Sequence, residues 1–127
     1  MLVELDPWLR RAIEQALAED GYNVVRVEEL RDAPRLARGI NPATILLDIP
    51  SPSGEGLLAL QELRRCAAEA VIVVLSATVT VRSARDAMLL GADDYVAKPF
   101  DMALLRLVVR DGLGERWRAP AEHACAC

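Results

Sequence analysis

Four polar residues stand where apolar runs of this sequence end, and their side chains are of the types that phosphoryl chemistry uses. They are Glu4, Asp48, Ser76 and Lys98. Two carboxylates side by side repel each other and need a cation, which Lys98 and a hard divalent ion such as Mg²⁺ could supply. A neutralised carboxylate can attack a phosphoryl group, while an ammonium and a hydroxyl hold the phosphoryl oxygens. The set therefore predicts a phosphoryl-handling site with Asp48 as nucleophile.

Each residue taken alone has a plainer interpretation. Asp48 could cap the turn before Pro52, Ser76 could cap the helix that follows it, and Lys98 could be a solvated loop residue. The occurrence of all four at the ends of successive apolar runs favours the joint interpretation.

Parallel strands are the elements that would bring these residues together. Apolar runs at residues 1–3, 22–27, 44–47, 71–75 and 95–97 predict five strands. The middle runs do not alternate cleanly, which is typical of strands buried on both faces of a parallel sheet. Neighbouring strands lie about 4.8 Å apart. Glu4 and Ser76 would then flank Asp48, and the Lys98 side chain would reach it across two strands.

Helical periodicity fills the intervals between the strands. The first helix is predicted from Pro7, with Asp6 as N-cap, to Gly21. A second helix is expected after Asp32, and Gly39 and Asn41 are expected to break it. Three more helices are expected around residues 57–63, at 81–90 and at 101–112. Five strand–helix units with right-handed crossovers predict a doubly wound α/β domain with helices on both faces of a five-stranded parallel sheet, in the flavodoxin-like order 2-1-3-4-5. Ligands of such sheets bind beyond the carboxyl ends of the strands, between strands 1 and 3.

Composition and charge limit the function classes. The 127 residues carry 15 Lys plus Arg and 19 Asp plus Glu, and the net charge of −4 argues against direct binding of nucleic acid by this chain. Hydrophobic residues make up 53%, as in a folded globular domain, but the longest aliphatic run, 71–75, is far too short to span a membrane. The first six residues lack the basic region of a signal peptide. We therefore expect a cytoplasmic protein with no membrane contact.

The domain is expected to occupy residues 1–112, with 113–127 as a flexible C-terminal tail. Two of the three cysteines, Cys125 and Cys127, lie in this tail beside His123. These side chains could ligate a soft metal, but zinc needs four ligands on an ordered scaffold. We therefore interpret them as part of a tail without function.

Three segments resemble the motifs of response-regulator receiver domains of two-component signal transduction. They are Leu46-Leu47-Asp48 with Pro52 and Gly56 four and eight residues after the aspartate, Leu75-Ser76-Ala77, and the run from Gly91 to Phe100 with sequence GADDYVAKPF. The resemblance covers residues 1 to about 112. It implies a signalling module rather than an enzyme, which accepts a phosphoryl group from a histidine kinase or phosphotransfer protein.

The resemblance also implies a role for each matching residue. Asp48 would be the phosphoacceptor, Lys98 its ammonium partner, and Ser76 the hydroxyl that shifts toward the phosphoryl group, with the Ala77 backbone beside it. Tyr95 would be the rotamer switch, and the Lys98–Pro99 bond would be cis. Metal ligands for Mg²⁺ would be Glu4, Asp48 and the Pro50 carbonyl.

Two departures from the family pattern weaken the implied metal and phosphoryl contacts. Leu5 stands where the family has its second acid, the direct metal ligand, and Asp6 could substitute for it only if the turn shifts by one residue. Pro50 keeps its carbonyl but has no N–H to donate to a phosphoryl group. The alternative function is therefore an atypical receiver with impaired Mg²⁺ binding that works by protein contacts without phosphorylation.

The implied output surface is helix 4, strand 5 and helix 5. Its charges are mixed and suit a homodimeric twofold contact: Arg82, Arg85, Asp86, Asp93, Asp94, Arg106, Arg110 and Asp111. A solvated charged face is the plainer interpretation. The residues of the last motif are similar to those of receivers that carry a C-terminal DNA-binding domain. No such domain is predicted in this sequence, so we expect that it was removed or that the protein acts alone.

A small enzyme on the same fold is a third class. An aspartate-nucleophile phosphatase would need a second aspartate where Pro50 stands. A flavin carrier would need a phosphate-cradling loop after strand 1, which residues 4–9 do not offer.

Overall fold

The computed structural model describes residues 1–50, 54–78 and 80–118, with side chains described as far as residue 112. The strands are β1 (Leu2–Val3), β2 (Arg26–Val27), β3 (Thr44–Asp48), β4 (Val71–Ser76) and β5 (Asp94–Ala97). The helices are α1 (Pro7–Glu19), α2 (Ala33–Ile40), α3 (Glu55–Cys66), α4 (Val81–Leu89) and α5 (Met102–Arg118), with a 3₁₀ turn at Leu30–Asp32. All paired strands are parallel, in the order β2-β1-β3-β4-β5, which confirms the predicted fold.

Strand register brings the carboxylates to one edge of the sheet. Val3 of β1 pairs with Leu47 of β3, so the next residue along each strand, Glu4 and Asp48, lies at the same level. Lys98 follows the last residue of β5, two strands away from β3. The backbone pairing of the sheet by itself thus places these three residues at one edge.

Two apolar cores cover the two faces of the sheet. One packs α1 and α5 against the sheet and includes Leu2, Leu46 and Val96. The other packs α2 and α3 against the opposite face and includes Val74, with Tyr95 partly buried against it. Every residue of β4 is buried, as expected for a central strand of a parallel sheet.

The alternation of side chains along a strand sorts the polar residues between these faces. Glu4, Asp48 and Lys98 each come two residues after a member of the α1–α5 core, so they continue on that side. Ser76 comes two residues after Val74 and continues on the other side. The charged residues and the hydroxyl residues therefore belong to different faces of one sheet.

Local signals explain the elements next to the site. The Asp6 side chain caps α1 by accepting a hydrogen bond from Trp8 N at 3.0 Å, and Pro7 begins the helix, as predicted. α3 passes close behind the segment that follows β3 at Gly56, where a Cβ would lie 2.7 Å from Ile49 Cγ2. Only glycine permits this approach, so Gly56 has a packing reason for its position eight residues after Asp48.

Two predicted boundaries were wrong, and a third was right in part. β2 has two residues rather than the six at 22–27, because this edge strand pairs only with the short β1. Gly39 lies inside α2 and does not break it, whereas Asn41 does end the helix, as predicted, by taking the left-handed conformation with φ of 51°. α5 continues six residues past Gly112, because a glycine within a helix costs only about 1 kcal/mol and here packs against Val71.

Part of the predicted tail cannot be compared with the structure. Residues 119–127, which include His123, Cys125 and Cys127, lie outside the described residues. In the part of the chain that is described, no helix is long and apolar enough to cross a membrane.

Candidate functional site

An ammonium group joins two buried carboxylates at the carboxyl edge of the sheet. Lys98 Nζ lies 2.9 Å from Asp48 Oδ1 and 2.7 Å from Glu4 Oε1. Glu4 is fully buried, Asp48 is 5% exposed, and Lys98 is partly buried. The lysine therefore spans the two strand spacings, and the three side chains form one cluster with a formal charge of −1 when all are ionised.

The charges of this cluster shift the pKa values of two of its members. Burial raises the pKa of Glu4, and the neighbouring Asp48 carboxyl raises it further, although Lys98 acts in the opposite direction. Burial alone would lower the pKa of Lys98, but its contacts with Glu4 and Asp48 outweigh that effect and raise it. Lys98 is thus held as a cation, while Glu4 takes up a proton more readily than an ordinary glutamate.

Backbone amides from the β1–α1 turn reach the free sides of the two carboxylates. Asp6 N donates to Glu4 Oε2 at 3.2 Å, and Leu5 N lies 3.5 Å from Asp48 Oδ2. The second contact is long for an N–H···O bond. Asp48 Oδ1 is therefore held by Lys98, while the contact of Oδ2 with Leu5 N is the longer and weaker one.

Ser76 belongs to a separate cluster of hydroxyl groups. Its Oγ accepts from Thr78 N and donates to Thr78 O, each at 3.1 Å. Tyr95 OH donates to the same carbonyl at 2.6 Å and lies 3.3 Å from Ser83 Oγ. The structure thus brings Glu4, Asp48 and Lys98 together, and places the Ser76 and Tyr95 hydroxyls on the loop that leads into α4.

Three other predicted site residues lie at the rim. Pro50 and Ala77 are exposed, following β3 and β4 respectively, and Asp6 is exposed with its carboxyl engaged as the cap of α1. Leu5 is 47% exposed at the position of the missing acid. The Lys98–Pro99 bond is cis, as expected.

Sequence reasoning missed Thr78 and Ser83. Ser83 is 6% exposed and forms a reciprocal capping box with Thr80 at the start of α4. The signal was weak because such boxes usually have Glu or Gln at the third helical position. The contribution of Thr78 is its backbone carbonyl, which any residue type could provide.

Comparison with known proteins identifies the family of this chain. The family model described as response regulator receiver domain matches residues 1–110. The chain belongs to the response regulator receiver domain family. It is thus a receiver of two-component signalling, a class of signalling modules that interact with histidine kinases or phosphotransfer proteins.

Relatives of this receiver include regulators of greater length. It is 33% identical over 113 residues to regulatory protein AtoC of Escherichia coli (strain K12), covering 89% of this chain and 24% of AtoC. It is 35% identical over 113 residues to the KDP operon transcriptional regulatory protein KdpE of the same organism, covering 89% of this chain and 50% of KdpE. The receiver therefore spans a quarter to a half of these two proteins.

A solved structure has the same fold and a metal. The receiver domain of sensor histidine kinase PA1611 from Pseudomonas aeruginosa PAO1 superposes with a TM-score of 0.78 at 30% identity, over 89% of this chain and 94% of that one. Its structure has a magnesium ion coordinated in the active site cleft.

The oxygen donors of this receiver fit Mg²⁺ in kind but are few in number. Glu4 Oε1 lies 2.7 Å from Lys98 Nζ, but among the described residues no donor makes a hydrogen bond to it. It therefore keeps a lone pair for a cation. Mg²⁺ is commonly bound through one or two carboxylates plus waters, which Glu4 and Asp48 can supply. No group of three His, Cys, Asp or Glu suited to a metal occurs among the described residues.

Replacing Lys98 by methionine should destabilise the fold in a pH-dependent way. Removing one partner of a buried ion pair typically costs about 3 kcal/mol or more, and in Lys98→Met both carboxylates lose their cation. The lysine contribution is present at neutral pH and is lost only above its raised pKa. The loss should be smaller at pH 5 than at pH 8, because Glu4, whose pKa is raised, takes up a proton more readily as the pH falls and the repulsion then weakens. Urea unfolding of both proteins at pH 8 and at pH 5 measures the loss of unfolding free energy.

The double variant Lys98→Met/Glu4→Gln is the control for this experiment. It should lose less stability at pH 8 than Lys98→Met alone, since only one carboxylate is left unpaired. Equal losses in the two variants, unchanged between pH 8 and pH 5, would show that the carboxylate repulsion does not determine stability.

Proposed function

We propose that this receiver accepts a phosphoryl group on Asp48 from a histidine kinase or a phosphotransfer protein. The observation that carries the proposal is the 2.9 Å contact between Lys98 Nζ and the buried Asp48 carboxyl. In the transfer, an Asp48 oxygen forms a bond to phosphorus as the P–N bond of the donor phosphohistidine breaks, and the imidazole nitrogen keeps the electron pair. Lys98 neutralises charge that develops on the phosphoryl oxygens.

Other residues at the edge have supporting roles in this proposal. The Ser76 hydroxyl and the Ala77 backbone would bind the phosphoryl oxygens together with Lys98. Glu4, Asp48 and the Pro50 carbonyl would hold Mg²⁺, which when bound supplies further neutralisation of the reacting carboxylate. The magnesium in the PA1611 receiver supports this assignment by similarity.

Incubation with phosphoramidate and Mg²⁺ should add one phosphoryl group to the chain, because its P–N bond resembles that of the natural donor. Intact-mass spectrometry detects the adduct, and Asp48→Asn should abolish it. Asp111→Asn, which changes an exposed aspartate on α5, should leave the yield unchanged. Absence of an adduct, or its persistence in Asp48→Asn, would contradict the proposal.

We propose further that Leu5 makes Mg²⁺ binding weak. Leu5 follows Glu4 at the site rim, and its side chain brings no charge to a cluster that has only two carboxylates. A carboxylate at about 4 Å from a unit cation contributes about 4 kcal/mol at an effective dielectric of 20. Exposure of this position reduces that figure, but a tenfold effect on affinity requires only about 1.4 kcal/mol.

Leu5→Asp should therefore tighten Mg²⁺ binding by about tenfold or more. Isothermal titration calorimetry of the unphosphorylated chain measures the dissociation constant directly. Leu5→Asn, which adds an oxygen without a charge, is the matched control and should have a much smaller effect. An unchanged affinity in Leu5→Asp would show that this side chain does not limit the site.

Weak metal binding supports a second candidate function, an atypical receiver that signals by protein contacts without phosphorylation. Pro50 adds to it, since it lacks the N–H that would donate to a phosphoryl group. Trp8 and Leu5, 81% and 47% exposed, are apolar side chains beside the site that a partner protein could cover. The Asp48 adduct experiment separates the two functions.

The output surface is proposed to be α4, β5 and α5, acting as a homodimer contact. The structure adds an apolar component that the charge pattern did not indicate: Val81, Met88, Leu89, Leu104 and Leu107 are exposed on the two helices. Two predicted members of the surface are used within the chain instead. Asp93 pairs with Arg64 at 2.6 Å, and Arg106 pairs with Glu19 of α1 at 2.8 Å.

Phosphorylation should raise the dimer fraction of the chain, as measured by sedimentation velocity. Leu89→Arg should prevent dimerisation, because a charge would replace an apolar contact on α4. Leu58→Arg is the matched control on α3, where a leucine is similarly exposed, at 64% against 73%. Equal effects of the two variants, or no dimer in the phosphorylated chain, would rule out this surface.

A further inference from the structure

Three hydroxyl groups converge on one backbone carbonyl in the loop between β4 and α4. The Thr78 carbonyl oxygen lies 3.1 Å from Ser76 Oγ, 2.6 Å from Tyr95 OH and 3.3 Å from Ser83 Oγ. A carbonyl oxygen has two lone pairs. It therefore cannot accept strong hydrogen bonds from all three hydroxyls at once, and the three donors compete.

Distances indicate which donors hold the carbonyl. Tyr95 makes the shortest contact, so its proton is committed to Thr78 O. Ser76 Oγ accepts a hydrogen bond from Thr78 N and donates one to Thr78 O, so both of these bonds are to the backbone of one residue. Ser83 is the most distant of the three donors and has another acceptor, Thr80 O, at 3.1 Å. The proton of Ser83 is therefore the one that is free to change partner.

Ser83 also belongs to the first turn of α4. Its Oγ accepts from Thr80 N at 3.0 Å, and its own N donates to Thr80 Oγ1 at 2.9 Å. Its side chain is buried, so no water competes easily for these contacts. One hydroxyl thus belongs both to the group around Thr78 O and to the capping box that begins the helix.

We propose that Ser83 is a positioning residue that relays the state of Ser76 to α4. When Ser76 turns its hydroxyl away from Thr78 O, as it would toward a phosphoryl group on Asp48, the carbonyl loses a donor. Ser83 then donates to Thr78 O instead of Thr80 O, and the capping turn of α4 adjusts. Only hydrogen bonds change partner, and no covalent bond forms or breaks. The physiological trigger rests on the proposed phosphorylation, but the relay itself does not.

The test uses Ser76→Ala to remove the competing donor without any phosphoryl group. In the ¹⁵N-labelled chain, Ser76→Ala should shift the amide resonances of residues 81–89. In a Ser83→Ala background the same substitution should shift them by about half or less, because the relay is missing. Thr80→Ala is the matched control: it removes a cap oxygen but keeps the Ser83 hydroxyl, so the response should persist. Ser83→Cys, whose thiol is a weak donor, replaces Ser83→Ala if that variant does not fold.

The relay would be overturned if Ser76→Ala shifted the α4 resonances equally in the chain with Ser83 and in the Ser83→Ala chain. It would also be overturned if Ser83→Ala and Thr80→Ala reduced these shifts equally. A second arm phosphorylates each variant with phosphoramidate and confirms the adduct by mass. If the unaltered chain forms no adduct, the proposed function fails while the Ser76→Ala comparison still decides the relay. If adducts form equally and only Ser83→Ala loses the α4 shifts, both proposals are supported.

Discussion

The charge balance among Glu4, Asp48 and Lys98 is the constraint on which the rest of this receiver depends. Two carboxylates buried at neighbouring strand ends would repel each other strongly without a cation. Lys98 supplies it at 2.7 and 2.9 Å, and in doing so connects the ends of β1, β3 and β5. The contact that offsets the repulsion between the two carboxylates therefore also leaves their negative charge only partly neutralised.

The two faces of the sheet carry different groups of polar side chains. Residues that alternate onto the α1–α5 side form the charged cluster, and Ser76 and Tyr95 on the other side form the hydroxyl cluster near α4. Ser76 ends β4, which pairs with β3, so the hydroxyl cluster begins on the strand next to the one that ends in Asp48.

Much of the fold and part of the site could be predicted, since both rest on local patterns. Asp6 and Pro7 mark the start of α1 because capping depends on a few adjacent residues. The end of α5 could not be predicted, because Gly112 is compatible with a helix end and with close packing on Val71, and only the packing decides. The internal pairing of Asp93 with Arg64 likewise joins residues far apart in the chain.

The sequence by itself determined the order of strands and helices, the residue types at the carboxyl edge, and the departures at Leu5 and Pro50, because periodicity, capping and motif residues are properties of short segments. Tertiary structure alone decided that the Ser76 and Tyr95 hydroxyls form a cluster of their own around Thr78, and that Thr78 O is contacted by three hydroxyls. These contacts join residues from different strands and helices, and their geometry depends on packing that no short segment specifies.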